Sequence, residues 1–224
     1  MINKDKAKKW LIFIGILFLF IFLDLGIALV ILMLKNTREL TLVEEIVVIL
    51  VKYAILLIIF ILLYKKYLKE KWFDFKKNFK KYFEISFRNW FVGFLIMIVS
   101  NVIINSLVKG LGQNESNVQE LIMNAPFLAF ILTTIGAPFI EEMIFRKSLQ
   151  DCFNNKVIYM VMSGFLFGLI HVMGTDNLYE YLLIIPYGAL GFMFAKTINE
   201  TDNIYSTIII HMLHNGVLTL LYIL

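Results

Sequence analysis

Apolar residues fill the chain in long blocks, separated by short clusters of lysine, acid and amide. The blocks are 10–34, 46–64, 90–108, 126–149, 157–172, 181–196 and 204–223. Runs of about 20 apolar residues predict transmembrane helices, and several of these blocks are at the short end. Between the second and third blocks, segment 65–89 alternates aromatics with lysines, the pattern of an amphipathic helix lying in the interface. The expected fold is all-α: a polytopic transmembrane helix bundle of about seven to eight helices, with a functional site in an intramembrane cavity. Repeats and low-complexity tracts are absent from the sequence, so residues 1–224 read as one integral-membrane domain.

Composition agrees. Hydrophobic residues make up 60% of the 224, charged residues 17%, and mean hydropathy is +0.80. A soluble domain has no use for that much apolar surface. The first block is too long for a signal-peptide core and is followed by no small-x-small cleavage site, so it is expected to be a retained span. Basic residues set the expected orientation. Lys4, Lys6, Lys8 and Lys9, the lysine-rich stretch from Lys65 to Arg88, and Arg146, Lys147 and Lys156 fall on alternate connections. This predicts a multi-pass cell-membrane protein with a cytoplasmic N-terminus and, for seven spans, an external C-terminus. The net charge of +4 is then a topology signal rather than a sign of nucleic-acid binding. The 109–120 segment is the most polar external loop. Cys152 is the only cysteine, which excludes an internal disulfide and a cysteine-based metal site.

Charges at bilayer depth cost at least ~2.5–3.5 kcal/mol each on insertion scales, so each calls for a partner or a role. At 1.5 Å per residue, Asp24 and Lys52 lie at depths of about 21 and 18 Å, which predicts an ion pair between the first two spans. The stretch "GAPFIEEMIFRK" (136–147) is harder to account for. Glu142 and Arg146 are spaced i,i+4 with the acid first, the favourable order for a helical pair. Glu141 lies about 100° round the helix and is left without a partner. Pro138 cannot donate to the Thr134 carbonyl, which predicts a loosened or kinked helix just before the glutamates. Gly136 permits close packing there. All three histidines, His171, His211 and His214, lie in the fifth and seventh blocks. Phe167 precedes His171 by one turn, and Asn215 follows His211 by one turn. Polar groups in lipid face a bundle interior or a watery cavity. A cavity lined by Glu141, His171, His211 and Asn215 is the economical packing.

"EEMIFR" fits EExxxR, "FGLIH" fits FxxxH and "HMLHN" fits HxxxN. In this order on successive apolar blocks, the chain resembles the CAAX protease and bacteriocin-processing (CPBP, or Abi) family of intramembrane endopeptidases. "PYGALGFMFAK" lies where that family carries a small-residue motif. The resemblance covers residues 117–224, while 1–108 carry no family motif. Lys147 departs from the small residue that many members have after the arginine. The resemblance implies that Glu141 activates a water held by His171, and that His211 and Asn215 stabilise the oxyanion. Glu142, Arg146 and Phe167 would support them. His214 matches no family position and is expected to pack between helices.

Two mechanisms fit those residues. In one, Glu141 acts on water directly. In the other, Glu141, His171 and His211 hold a divalent metal, Zn²⁺, that polarises the water. The implied substrate is a small peptide or membrane-associated protein cleaved near the cytoplasmic face, and prenyl recognition is not legible. The other partner expected is the bilayer itself, with segment 65–88 on anionic lipid. Two non-peptidase readings stay open: a non-catalytic immunity or partner-binding protein, and an ion- or proton-coupled transporter. One distance is awkward. Helical rise puts His171 about 22 Å from the cytoplasmic edge but Glu141 only about 13 Å.

Overall fold

Why the apolar blocks become helices of the observed lengths is clearest at their ends. The structure is a computed structural model that describes residues 4–105 and 112–224. The end of the predicted third block (106–108) and the start of the predicted polar loop (109–111) lie outside them. Every described element is helical, and the chain divides into two compact units, Met1–Lys69 and Glu70–Leu224.

In the first unit, α1 (Lys4–Lys35) ends at Asn36, whose φ of 53° is the left-handed conformation asparagine tolerates. Helix α2 (Leu42–Lys77) starts behind Thr41. The Thr41 N–H and hydroxyl both donate to Glu44 Oε2, at 2.8 and 2.9 Å, as in a capping box. Lys35 pairs with the other oxygen of Glu44. The expected Asp24–Lys52 pair is formed at 2.9 Å, and the Lys52 ammonium also lies 5.0 Å from the centre of the Phe20 ring.

The interfacial helix expected in 65–89 is not a separate element. Helix α2 continues through the lysines to Lys77, breaks only at Asn78, and α3 (Phe79–Asn105) resumes at once. Neither Pro nor Gly interrupts 65–89, so helix propensity carries the chain on. At 1.5 Å per residue α2 is about 54 Å long, well beyond a hydrocarbon core of about 30 Å. Asn78 Nδ2 donates to the Asp74 carbonyl and carboxylate, and Tyr82 donates to the other Asp74 oxygen, bracing the break. The predicted polar loop also contains structure: Gln113–Asn124 forms α4, with Val118, Leu121 and Ile122 at helical spacing.

Residues Pro126–Ser148 form one apolar rod of 23 residues made of four segments. They are α5 (Pro126–Ile131), a π-helical stretch Leu132–Gly136, α6 (Ala137–Glu142) and a second π stretch Met143–Ser148. The anticipated kink at Pro138 is thus realised as a π turn just ahead of it, which redistributes the carbonyls the proline cannot serve. Helix α7 (Lys156–Ile170) has only 15 residues. Helices α8 (Ile184–Thr201) and α9 (Ile204–Ile223) follow, with a short 3₁₀ stretch at Leu178–Leu183 before α8. Among the described residues, six helices are long and apolar enough to cross a membrane; α7 is the shorter apolar one, below the seven full-length blocks expected.

Within the second unit, α7 and α8 pack backbone to backbone. A Cβ on Gly168 would sit 2.5 Å from the Ile184 carbonyl, and one on Gly164 would sit 2.7 Å from the Gly188 carbonyl. On the facing helix, a Cβ on Gly191 would meet Phe167 at 2.9 Å. Small residues allow helices to approach this closely in lipid. Helix α8 passes to α9 through Asp202, in the left-handed conformation, and Asn203, which caps α9 by accepting from the Tyr205 N–H. Asn203 Nδ2 donates to the Lys71 carbonyl and to Asp74 Oδ2, and Lys71 pairs with Asp202 at 2.7 Å.

Candidate active site

The site begins with the second π stretch. Widening the helix there leaves carbonyls for other helices to satisfy. Ser163 of α7 donates to the Phe145 carbonyl at 2.8 Å, and the Tyr159 hydroxyl donates to that of Arg146. The rod and α7 are thereby registered side by side. Phe145 and Phe167 meet edge to face, 5.7 Å apart.

Glu142 and Arg146 form the expected pair, with Arg146 Nε 3.2 Å from Glu142 Oε2. Both side chains are 0% exposed, so this is no surface neutralisation at a helix end. The Arg146 nitrogens have no well-aligned hydrogen bond among the described residues. The guanidinium carbon lies 4.5 Å from the Phe167 ring centre and 5.3 Å from that of Phe194, so its charge rests between two aromatic faces. The other Glu142 oxygen accepts from His211 Nδ1 at 2.9 Å. That bond fixes the His211 ring and turns Nε2 outward, 3.8 Å from Glu141 Oε2. Glu141 retains 12% side-chain exposure where Glu142 has none. One carboxylate is enclosed by partners; its sequence neighbour is reachable.

His171 caps the C-terminus of α7, and its Nδ1 lies 2.6 Å from the Phe167 carbonyl. A carbonyl only accepts, so Nδ1 carries the proton and Nε2 is left with its lone pair. Among the described residues Glu141 and His171 share no hydrogen bond, although His171 lies within the electrostatic reach of Glu141. Asn215 Nδ2 donates to the Thr133 carbonyl at 3.0 Å, one of the carbonyls of the first π stretch. The Thr133 hydroxyl in turn contacts that of Thr219 at 2.9 Å. His214 is buried apart from these groups and accepts from the Trp90 indole at 3.3 Å.

The structure therefore gathers Glu141, Glu142, Arg146, Phe167 and His211 by direct contact, with His171 and Asn215 each anchored to backbone on neighbouring elements. No three His, Cys, Asp or Glu side chains among the described residues converge on a point where they could hold a metal ion. His211 Nδ1 is engaged by Glu142 and His171 Nδ1 by a carbonyl, which leaves Nε2 of each ring as the nitrogen available to a water or a ligand. Tyr187, which the motif pattern did not single out, stacks on His171 with ring centres 4.4 Å apart and planes 23° apart. Its place in "PYGALGFMFAK" was the available signal.

Residues 123–217 match the model of the type II CAAX prenyl endopeptidase Rce1-like family. YdiL of Bacillus subtilis (strain 168) is 31% identical over 131 residues, covering 55% of this chain and 51% of that protein. The membrane-embedded CAAX protease MroQ of Staphylococcus aureus (strain USA300) is 26% identical over 144 residues, covering 59% of this chain and 57% of MroQ. The UPF0177 protein YbdI of Lactococcus lactis subsp. lactis (strain IL1403) is 25% identical over 156 residues, with 66% of this chain and 83% of the relative covered. The match thus spans only about half the length of the first two relatives. No solved structure matches the chain. Residues 123–217, which hold every motif side chain described above, are similar to the Rce1-like family of type II CAAX prenyl endopeptidases.

Proposed function

We propose that the chain is an intramembrane endopeptidase that cleaves a small peptide or membrane-associated protein, with Glu141 as the general base. The observation that carries this is the unequal pair of glutamates. Glu142 is enclosed by Arg146 and His211, while Glu141 stays 12% exposed beside His211 Nε2. A carboxylate with no hydrogen bond among the described residues, in a place where burying it is costly, is best accounted for by chemistry.

In this reading a water lies between Glu141 and His171 Nε2. Glu141 takes its proton as the water oxygen attacks the scissile carbonyl carbon. The carbonyl oxygen becomes an oxyanion, stabilised by the N–H of a protonated His211 Nε2 and by the remaining Asn215 N–H. The C–N bond then breaks, and Glu141 passes the proton to the departing amine. Glu142 and Arg146 act through His211 by fixing its ring. These steps are written for the direct-base route; in the metal route Glu141, His171 and His211 would hold a divalent ion that polarises the water. The family name of MroQ and the family model's description point to CAAX-type substrates. Nothing in the site selects a prenyl group over another apolar anchor.

The test compares membrane and secreted peptides in cells producing wild-type chain, Glu141→Gln or His171→Ala. Cleavage products present with wild type should vanish with either variant, a loss of about 10²–10⁴ in rate for the base. Identical peptide profiles in all three would remove the peptidase reading and leave a non-catalytic partner-binding protein. Zinc content of the purified protein and the effect of a chelator on cleavage separate the direct-base route from the metal route.

A further inference from the structure

His171 sits at the last turn of a helix only 15 residues long, where a side chain is poorly constrained by its own helix. Yet its ring is held on three sides. Nδ1 is tied to the Phe167 carbonyl, the Phe167 ring lies 4.5 Å away at 47°, and Tyr187 stacks on the imidazole at 4.4 Å and 23°. Tyr187 comes from α8, and the glycine contacts of α7 with α8 bring it within reach. Gly168 faces the Ile184 carbonyl and the Gly188 nitrogen, the residues that flank Tyr187 in the first turn of α8. Tyr187 is itself seated: with Ile184 it packs on the buried cluster of Ile104, Val172 and Leu183. Pro186 lies in the first turn of α8, where its missing N–H costs nothing.

We propose that Tyr187 is a positioning residue for His171. Its ring closes an aromatic clamp with Phe167 that fixes the imidazole plane, so that Nε2 keeps one direction. The consequence for turnover rests on the peptidase reading above; the clamp itself does not. A ring free to rotate about χ2 would present Nε2 to the reacting water only part of the time, and misplacement on the order of 1 Å costs about a hundredfold. The stacking face supplies the constraint, so a phenylalanine should serve and an aliphatic side chain should not.

The experiment uses the full chain in detergent micelles with ¹³C-labelled histidine. The chain has only three histidines, and His171→Gln and His214→Gln spectra assign them. Wild type is compared with Tyr187→Phe, Tyr187→Leu and Tyr187→Met, the last a flexible apolar filler that keeps volume without a ring. The expected result is a downfield move of the His171 signal in the Leu and Met variants, from loss of the stacked ring current, with His211 and His214 unmoved. Tyr187→Phe should keep the wild-type position. On a peptide identified by the cellular comparison above, kcat should fall about ten- to a hundredfold in the Leu and Met variants with KM little changed, and Phe should restore it. An unmoved His171 signal in Tyr187→Met overturns the clamp. A moved signal with unchanged kcat overturns its role in positioning. If wild type cleaves nothing while the His171 signal moves as expected, the peptidase reading fails and the clamp stands.

Discussion

Two of the ion pairs on the apolar helices, Asp24–Lys52 and Glu142–Arg146, are built differently. Asp24–Lys52, in the first unit, meets at 2.9 Å with Lys52 also over the Phe20 ring, and its side chains keep 43% and 14% exposure. Glu142–Arg146, in the second, is 0% exposed and has recruited His211 and the faces of Phe167 and Phe194. The first pair offsets two charges and, among the described residues, engages no third ionisable group. The second orients a third group, and beside it stands Glu141, 3.8 Å from that same His211. A buried pair often contributes little net stability over an apolar replacement, yet breaking one partner is severe. The difference teaches that the second pair is kept for what it orients.

The comparison can be broken at its strongest point first. Glu142→Gln leaves the Arg146 charge enclosed without its carboxylate. It should cost about 3–5 kcal/mol in reversible unfolding from mixed micelles. A loss no greater than that of Asp24→Asn would erase the distinction. Next, Gly168→Ala pushes a methyl into the Ile184 carbonyl and should cost about 1–3 kcal/mol by the same measurement. It should also disturb the His171 resonance, which no change at the first pair should do. Smaller again, Trp90→Phe removes the indole bond to His214 and should cost about 0.5–1.5 kcal/mol while peptide cleavage persists. Smallest is Asp24→Asn, at about 0–1 kcal/mol after allowance for its exposure, with cleavage at the wild-type rate. A cleavage defect in Asp24→Asn would mean that the first pair also serves the site.

Much of this was legible in the residues themselves. Costly polar groups on apolar blocks announce themselves, so Glu141, Glu142, Arg146, His171, His211 and Asn215 stand out as candidates by type and spacing. The Asp24–Lys52 pair followed from depth alone. What the pattern missed depends on how helices meet. A π turn has no signature beyond its neighbours' geometry, so the stretches Leu132–Gly136 and Met143–Ser148 were read as ordinary helix with a kink. The closeness of α7 and α8 is hinted at by Gly164, Gly168, Gly188 and Gly191, but which glycine faces which backbone is a matter of helix phase. Tyr187 was overlooked for that reason. The break at Asn78 was hidden because nothing around it stops a helix except its own side chain returning to Asp74.

The passage from α8 to α9 has a mechanical meaning. Two residues join them, and both are fastened: Asp202 to Lys71, and Asn203 to the Lys71 carbonyl and Asp74. A joint so short and so tethered has no slack to act as a hinge. The two helices must travel together, like the arms of a welded bracket, and any change of shape in this unit is taken up elsewhere than at that corner.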